Sequence, residues 1–419
     1  MDFLSPYNLI IEGSIILIIS FFFNELSKKT SVPSVLMLIV LGILIKVVLD
    51  FLESGKVDFF RILEILGIVG LIMIVLEAAL ELKLEREKVV PITKALIIGF
   101  VGLMLSTWIT AMILEYFVEG MDTLRAWIYA TPLSILSSAI VIPSVNDLRK
   151  DKKEFHIYES TFSDILGIML FYFLTSQVEN GGEGSGLVQF GFSTLITIIL
   201  SVVLSYLIVI IFQNIKSHVK LFLLIAVLLL LYAVGKKMHL SSLIIILVFG
   251  LVIANIKLFF QGWLKRFLDP EKAKDIYNGL HVITIETAFV VRTFFFVIFG
   301  ITITFASLGD WNVIGVSILL LLVIYVIRWI ILRVSIGEDI FPQLYIAPRG
   351  LITILLFYAI PSEAEVVTFS QGILLFIIIG TAVIMTVSMI FDKKRAMSAI
   401  KEASDLPVST IKWKLPQDN

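Results

Sequence analysis

Long apolar runs separated by short polar links repeat along nearly the whole chain, and no other feature of the sequence constrains the fold as strongly. About 17 to 25 apolar residues form a helix long enough to cross the hydrocarbon core of a bilayer. Of the 419 residues, 58% are hydrophobic and 16% are charged, and the mean hydropathy is +1.02. Soluble domains of ordinary composition are far less apolar. The sequence therefore predicts an all-α protein that crosses a membrane many times.

Thirteen candidate spans begin near residues 8, 33, 63, 93, 125, 159, 190, 219, 240, 281, 312, 343 and 369. Weak separators in 190–234 and 312–360 leave twelve spans as an alternative. With the N-terminus outside, the inner links carry 24 of the 33 basic residues and the outer links carry 5, as the positive-inside rule requires. We therefore expect a multi-pass domain over 1–391 in the cell (inner) membrane and a short cytoplasmic tail over 392–419.

Several kinds of site are not indicated by the sequence. The chain has no cysteine, which removes disulfides and thiolate metal sites. Its four histidines lack ligand spacing, and His156 is expected to be a solvated link residue. The net charge of -1 gives no indication of a nucleic-acid partner. No hydrolase constellation occurs in the spans, so we expect neither an enzyme nor a protein with a cofactor.

Two spans are unsuited to a continuous helix. Span 5 contains Pro132, Ser137-Ser138 and Pro143, and span 12 contains Pro348-Arg349-Gly350. Proline removes an intrahelical hydrogen bond and glycine weakens a helix. The two spans hold the same place in two inverted halves, spans 1 to 6 and 8 to 13, if span 7 joins them. Such a pair indicates a binding site near the membrane midplane of a secondary transporter.

The segment ESTFSD, Glu159 to Asp164, places two carboxylates and three hydroxyls at the head of an apolar run. On a helix, Ser160, Asp164 and Gly167 share one face, whereas Glu159 lies about 140 degrees away from Asp164. An ionisable group inside a membrane usually has a function. Because burial penalises the charged carboxylate, a proton and a cation can compete for it. Asp164 is therefore the predicted functional group of this face, and Ser160 would add a neutral oxygen one turn away.

The same segment resembles the Glu-Ser-x-x-Asn-Asp signature of the NhaP-type branch of the monovalent cation/proton antiporters. LEAAL (Leu76 to Leu80), RTFFFVIFG (Arg292 to Gly300) and APRGLI (Ala347 to Ile352) resemble further family segments, in the same order. The resemblance implies a sodium/proton antiporter of thirteen spans in two inverted repeats, with broken helices crossing at spans 5 and 12. It also implies alternating access and a homodimer in the lipid membrane.

The chain departs from this branch in two places, and the departures keep other functions open. Ser163 stands where the signature has Asn, and Ser137-Ser138 in span 5 is closer to Kef-type potassium systems. Thr131-Pro132 offers a second alignment of span 5. Potassium/proton exchange is therefore an alternative to sodium/proton exchange. A cation channel is a further alternative, although no filter sequence is present.

The resemblance implies that Asp164 is the exchange residue and the ligand of a monovalent cation, and it also implies roles for the residues around Asp164. Glu77 of span 3 would be a ligand or an acid at the edge of the cation site, and Ser137, Ser138 and Ser163 would complete the site. With a single exchanging carboxylate, exchange is expected to be one for one and electroneutral, unless Glu77 titrates as well.

The remaining membrane charges are expected to be structural. The resemblance places the counterparts of Glu159 and Arg349 opposite each other, and an unpaired buried charge is costly, so we expect these two residues to form an ion pair. Arg292, grouped with Arg328 and Glu286, is expected either to face the crossing and balance its negative ends or to pair with Glu286.

Overall fold

The computed structural model describes residues 6–30, 32–51, 60–84, 86–145, 148–179, 186–215, 219–237, 242–260, 266–267, 269–302, 310–337 and 340–404. These ranges are almost entirely helical and contain no strand. The helices are α1 Pro6–Thr30, α2 Ser34–Phe51, α3 Phe60–Glu81, α4 Val89–Phe117, α5 Thr123–Ser134, α6 Ser138–Ser144, α7 Lys150–Glu179, α8 Gly186–Phe212, α9 Lys220–Lys237, α10 Ser242–Ala254, α11 Ile256–Phe259, α12 Pro270–Thr302, α13 Trp311–Ser335, α14 Leu351–Tyr358 and α15 Gln371–Ser404.

The apolar helices confirm the predicted class, an all-α polytopic membrane protein. In the described part of the chain, eight helical segments are long and apolar enough to cross a membrane, with α5 and α6 counted as one, and three shorter helices are also apolar. Each of the thirteen predicted spans contains one of the helices. The division into 1–391 and 392–419 and the inverted relation of the two halves stay predictions. Residues 405–419 of the predicted tail lie outside the described residues.

Contacts between links agree with the predicted alternation of sides. Thr368 Oγ1 donates to Glu119 O at 2.5 Å and thereby joins the α14–α15 link to the α4–α5 link. At the opposite end of the protein, Lys152 Nζ donates to Phe341 O at 2.7 Å and joins the start of α7 to the segment before α14. Links predicted on one side of the membrane thus contact each other.

Small residues bring α7 close to its neighbours. A Cβ at Gly167 would overlap the side chain of Ile135, so α7 lies directly against the residues between α5 and α6. A Cβ at Gly99 of α4 would lie 3.3 Å from Glu159 O, in tight contact with α7. The ESTFSD segment is consequently enclosed by protein, and all of its residues are buried.

Both predicted interruptions are present, but they differ in form. Residues 135–137 are extended between α5 and α6, as Pro132 and the paired serines predict. In span 12, residues 340–350 form turns and extended chain, and helix begins only at Leu351. The first half of span 12 is therefore not a half-helix. Pro342 and Pro348 lie in this non-helical stretch, and each disfavours helical backbone in the residue before it and lacks an amide donor. The prolines alone do not explain the difference, because Pro132 and Pro143 of span 5 lie inside α5 and α6.

Candidate cation site

The interruptions of spans 5 and 12 meet in a crossing. Ser137 N donates to Pro348 O at 3.0 Å. A Cβ at Gly350 would lie 2.5 Å from Ser137 Oγ, so a larger residue there would force the side chain of Ser137 to move. Amides and carbonyls at such interruptions have lost their helical partners, and when buried they need others. The crossing therefore presents backbone groups that side chains or ions can bind.

Asp164 lies at this crossing, where α6 begins. Its Oδ2 accepts a hydrogen bond from Ser138 N at 3.1 Å. The residue is 1% exposed, and among the described residues Oδ1 has no hydrogen-bond partner. The hydroxyl of Ser137 is also buried without a partner. A buried oxygen without a partner costs about 1 to 3 kcal/mol. A proton or a cation on Asp164 would remove this cost.

The other two predicted serines are engaged by the backbone. Ser163 Oγ accepts a hydrogen bond from Leu136 N at 3.0 Å and so satisfies an amide freed by the interruption of span 5. Ser160 Oγ donates to His156 O at 2.7 Å within α7. Its hydroxyl is thus turned towards its own helix, although Ser160 and Asp164 lie one helical turn apart. The role of Ser160 as a cation ligand stays a prediction.

The predicted ion pair between Glu159 and Arg349 is wrong, because Arg328 of α13 takes the carboxylate. Arg328 Nη1 and Nη2 donate to Glu159 Oε1 and Oε2 at 2.9 and 3.0 Å, a bidentate contact. His156 Nδ1 lies 3.3 Å from Glu159 Oε2. His156 is 1% exposed, so the expectation of a solvated histidine is also wrong. These three residues form a buried network beside the N-terminal half of α7.

Arg349 binds backbone carbonyls instead of a carboxylate. Its Nε donates to Leu133 O and its Nη1 to Ala347 O, both at 2.9 Å. These carbonyls lie at the two interruptions, where no helical amide is available to them. Arg349 N also donates to Thr381 Oγ1 of α15 at 3.0 Å. Arg349 therefore provides hydrogen-bond donors for two carbonyls at the crossing of spans 5 and 12, and its backbone amide joins the crossing to α15.

Glu77 of α3 forms an ion pair with Arg292 of α12, with Arg292 Nη2 3.2 Å from Glu77 Oε1. Neither of the two alternatives predicted for Arg292 included Glu77. No described hydrogen bond or ion pair joins Glu77 to Asp164. The structure therefore separates the predicted residues into a crossing group around Asp164 and a pair between α3 and α12.

Sequence reasoning does not find the contacts of Arg328 and His156. The depth of each charge in the membrane is the signal that could have predicted the pairing of Arg328 with Glu159. Glu159 lies nine residues after the start of α7, and Arg328 lies seven residues before the end of α13. If both helix ends are on the inner side, the two charges lie at a similar depth.

Comparison with known families agrees with this fold. A family model described as sodium/hydrogen exchanger, transmembrane, matches residues 14–391. The chain therefore belongs to the sodium/hydrogen exchanger family, whose members are transporters and not enzymes. The predicted family resemblance is confirmed. No curated protein sequence matches the chain.

Two solved structures of the sodium proton antiporter MjNhaP1 from Methanocaldococcus jannaschii are similar to this protein. One, determined at pH 8, aligns with a TM-score of 0.65 and 19% identity over 91% of this chain and 98% of that chain. The other, from a three-dimensional electron microscopy map, aligns with a TM-score of 0.62 and 19% identity over 98% of this chain and 100% of that chain. At this identity the likeness shows the fold alone.

Proposed function

We propose that this protein exchanges a monovalent cation, in the first place sodium, for a proton, and that both compete for Asp164. The observation that carries the proposal is the buried Asp164 Oδ1, which has no partner among the described residues although Oδ2 is held by Ser138 N. Either a proton or a cation neutralises this carboxylate. A site that holds one or the other, but not both, couples the two fluxes.

The cation would bind to oxygen atoms at the crossing. Asp164 Oδ1 and the hydroxyl of Ser137 are the described side-chain oxygens without a partner there. Carboxylate and hydroxyl oxygens suit a small hard cation. Access would alternate between the two ends of the crossing by movement of one half of the protein against the other. The N-terminus would lie outside and the C-terminus in the cytoplasm, and two copies would form a homodimer in the lipid membrane.

One exchanging carboxylate makes the exchange electroneutral under this proposal. Support comes from Glu77, which is engaged by Arg292 and has no described contact with Asp164. The moving unit then carries the same charge with a proton as with a cation. The Ser137-Ser138 sequence, which resembles potassium systems, makes potassium the second candidate cation.

Replacement of Asp164 by Asn tests the central claim. The amide keeps the size of the side chain and the acceptor for Ser138 N but cannot exchange a proton, so we expect pH-dependent cation/proton exchange to fall to the level of protein-free liposomes. Asp310→Asn, an exposed substitution at the N-cap of α13, is the matched control and should retain exchange.

Proton flux in proteoliposomes, measured with sodium, potassium and lithium chloride in turn, gives the readout. Exchange that persists in Asp164→Asn would overturn the proposal. A proton flux that needs no cation on the opposite side would indicate a channel instead. A proton flux that occurs with potassium chloride alone would show that potassium, and not sodium, is the transported cation.

A further inference from the structure

A cavity of about 30 Å³ lies beside the crossing, between α4, α7 and α13. A water molecule needs about 10 to 15 Å³ measured in the same way, so the cavity has room for one or two water molecules or one small ion. Asp164 does not line it. The polar side chains that line the cavity are Ser106, Ser134, Glu159, Ser163, Arg328 and Arg349.

Hydrogen-bond donors dominate this lining. Ser106 is 6% exposed and makes no described hydrogen bond. Ser163 Oγ accepts a hydrogen bond from Leu136 N, and its own hydroxyl proton has no described acceptor. Arg349 uses Nε and Nη1 for carbonyls, and its Nη2 makes no described hydrogen bond. In contrast, both oxygens of Glu159 already accept hydrogen bonds from Arg328. The cavity therefore offers free hydrogen-bond donors from the hydroxyls of Ser106 and Ser163 and from Arg349 Nη2.

The residues that line the cavity carry a net positive charge. Arg328 and Arg349 each carry one positive charge, and among the described residues Glu159 is the one carboxylate that lines the cavity. Arg328 is paired with Glu159, which leaves Arg349 with backbone carbonyls alone. The carboxyl end of α5 supplies roughly half a negative charge towards Arg349. A buried guanidinium without a full counter-charge is costly, so a negative ion beside it would be favoured.

We propose that this cavity binds a small monovalent anion such as a halide ion. Arg349 and the hydroxyls of Ser106 and Ser163 would hold the anion. The net positive charge of the lining, which remains after Arg328 has paired with Glu159, disfavours a cation. The anion would be a resident ligand that neutralises Arg349 and holds α4 against the crossing. It is not part of the exchange at Asp164, so this inference goes beyond the proposed function.

Thermal unfolding of the purified protein tests the proposal without any transport measurement. At a fixed sodium concentration, the Tm in sodium chloride and sodium bromide is compared with the Tm in sodium gluconate, whose anion is too large for the cavity. A ligand that binds only the folded state raises the Tm in a saturable way, and we expect a rise of about 2 °C or more.

Two variants test whether the halide-dependent rise in Tm comes from the cavity. Ser106→Val removes one donor and reduces the cavity, so the halide-dependent rise should disappear. Thr110→Val is the matched control, because Thr110 lies one turn further along α4, is also buried with an unpartnered hydroxyl and does not line the cavity. This variant should keep the full rise, which separates halide binding from general effects of salt.

A structure determined in sodium bromide gives an independent result on the unmodified protein, should Ser106→Val fail to fold. We expect a bromide peak in the cavity beside Arg349. Equal Tm values in halide and gluconate, an undiminished rise in Ser106→Val, or water alone beside Arg349 would each overturn the proposal, and none of these results bears on exchange at Asp164.

Discussion

Arg328 and Arg349 are both buried guanidinium groups near the crossing, but they satisfy different kinds of acceptor. The bidentate contact of Arg328 suits a carboxylate, whose two oxygens match the planar fork. The two bonds of Arg349 go to single carbonyl oxygens on different segments of chain. The need for donors at the interruptions therefore decides where Arg349 points, and Glu159 is left to Arg328.

A double-mutant cycle tests the pair of Glu159 and Arg328. Removal of either partner leaves the other buried and uncompensated, so Glu159→Ala and Arg328→Ala should each lower the free energy of unfolding by about 3 to 5 kcal/mol. The double variant should lose less than the two single losses together, with a coupling of about 1 to 3 kcal/mol. Unfolding of the purified variants, followed by a structural probe, provides the measurement.

The same cycle with Arg349 in place of Arg328 serves as its control. No described hydrogen bond joins Glu159 to Arg349, so the coupling should be clearly smaller. Equal couplings in the two cycles, or additive losses in the first, would contradict the assignment of Arg328 as the partner of Glu159.

At the scale of elements, the interruptions of spans 5 and 12 are the features that the sequence predicts best. Proline and glycine act through local backbone geometry, so Pro132, Pro348 and Gly350 indicate the interruptions without knowledge of the rest of the fold. The pairing of Glu159 is not local. It depends on how α13 lies against α7, and no pattern within either helix contains that information.

A side chain at position 350 would displace side chains of span 5 at the contact between spans 5 and 12. A Cβ there would lie 2.5 Å from Ser137 Oγ and 2.7 Å from Ile140 Cδ1, so Gly350→Ala should lower stability by about 1 to 3 kcal/mol and reduce exchange. Gly315→Ala is the control, because nothing lies within 4 Å of a Cβ at that helical position. That variant should be as stable as the unmodified protein or more stable by up to about 1 kcal/mol.

Thermal unfolding and proton flux of these two alanine variants are measured side by side. A Gly350→Ala protein with unchanged stability and exchange would show that the interruptions do not need their close contact.

At the scale of the whole molecule, composition and the apolar runs are sufficient to predict the class of fold. Backbone that faces lipid must satisfy its hydrogen bonds within its own segment, so an apolar run is predicted to be a helix except where it is interrupted inside the protein, as in spans 5 and 12. The sites are less predictable, because they depend on which helices meet. Asp164 and Ser137 lie together at the crossing, whereas Glu77 and Arg292 face each other between α3 and α12.

The charge balance of the transport cycle makes a prediction for the protein as a whole. If Asp164 alone exchanges its ligand, no net charge crosses the membrane, and the exchange rate should not depend on voltage. In proteoliposomes with sodium as the substrate, a potassium diffusion potential set with valinomycin should leave the initial proton flux unchanged. Asp164→Asn gives the background flux, and a flux that scales with the imposed voltage would show that a second group titrates.

The crossing is bonded to α15, a helix that is longer than the hydrocarbon core is thick. The helix has 34 residues, which corresponds to about 51 Å, whereas the hydrocarbon core is about 30 Å thick. Arg349 N is bonded to Thr381 Oγ1, and from Thr381 to Ser404 the helix extends about 35 Å without interruption. If the bond at Thr381 holds, a tilt of α15 about that residue moves the far end of the helix. A small tilt at the crossing becomes a larger displacement at Ser404.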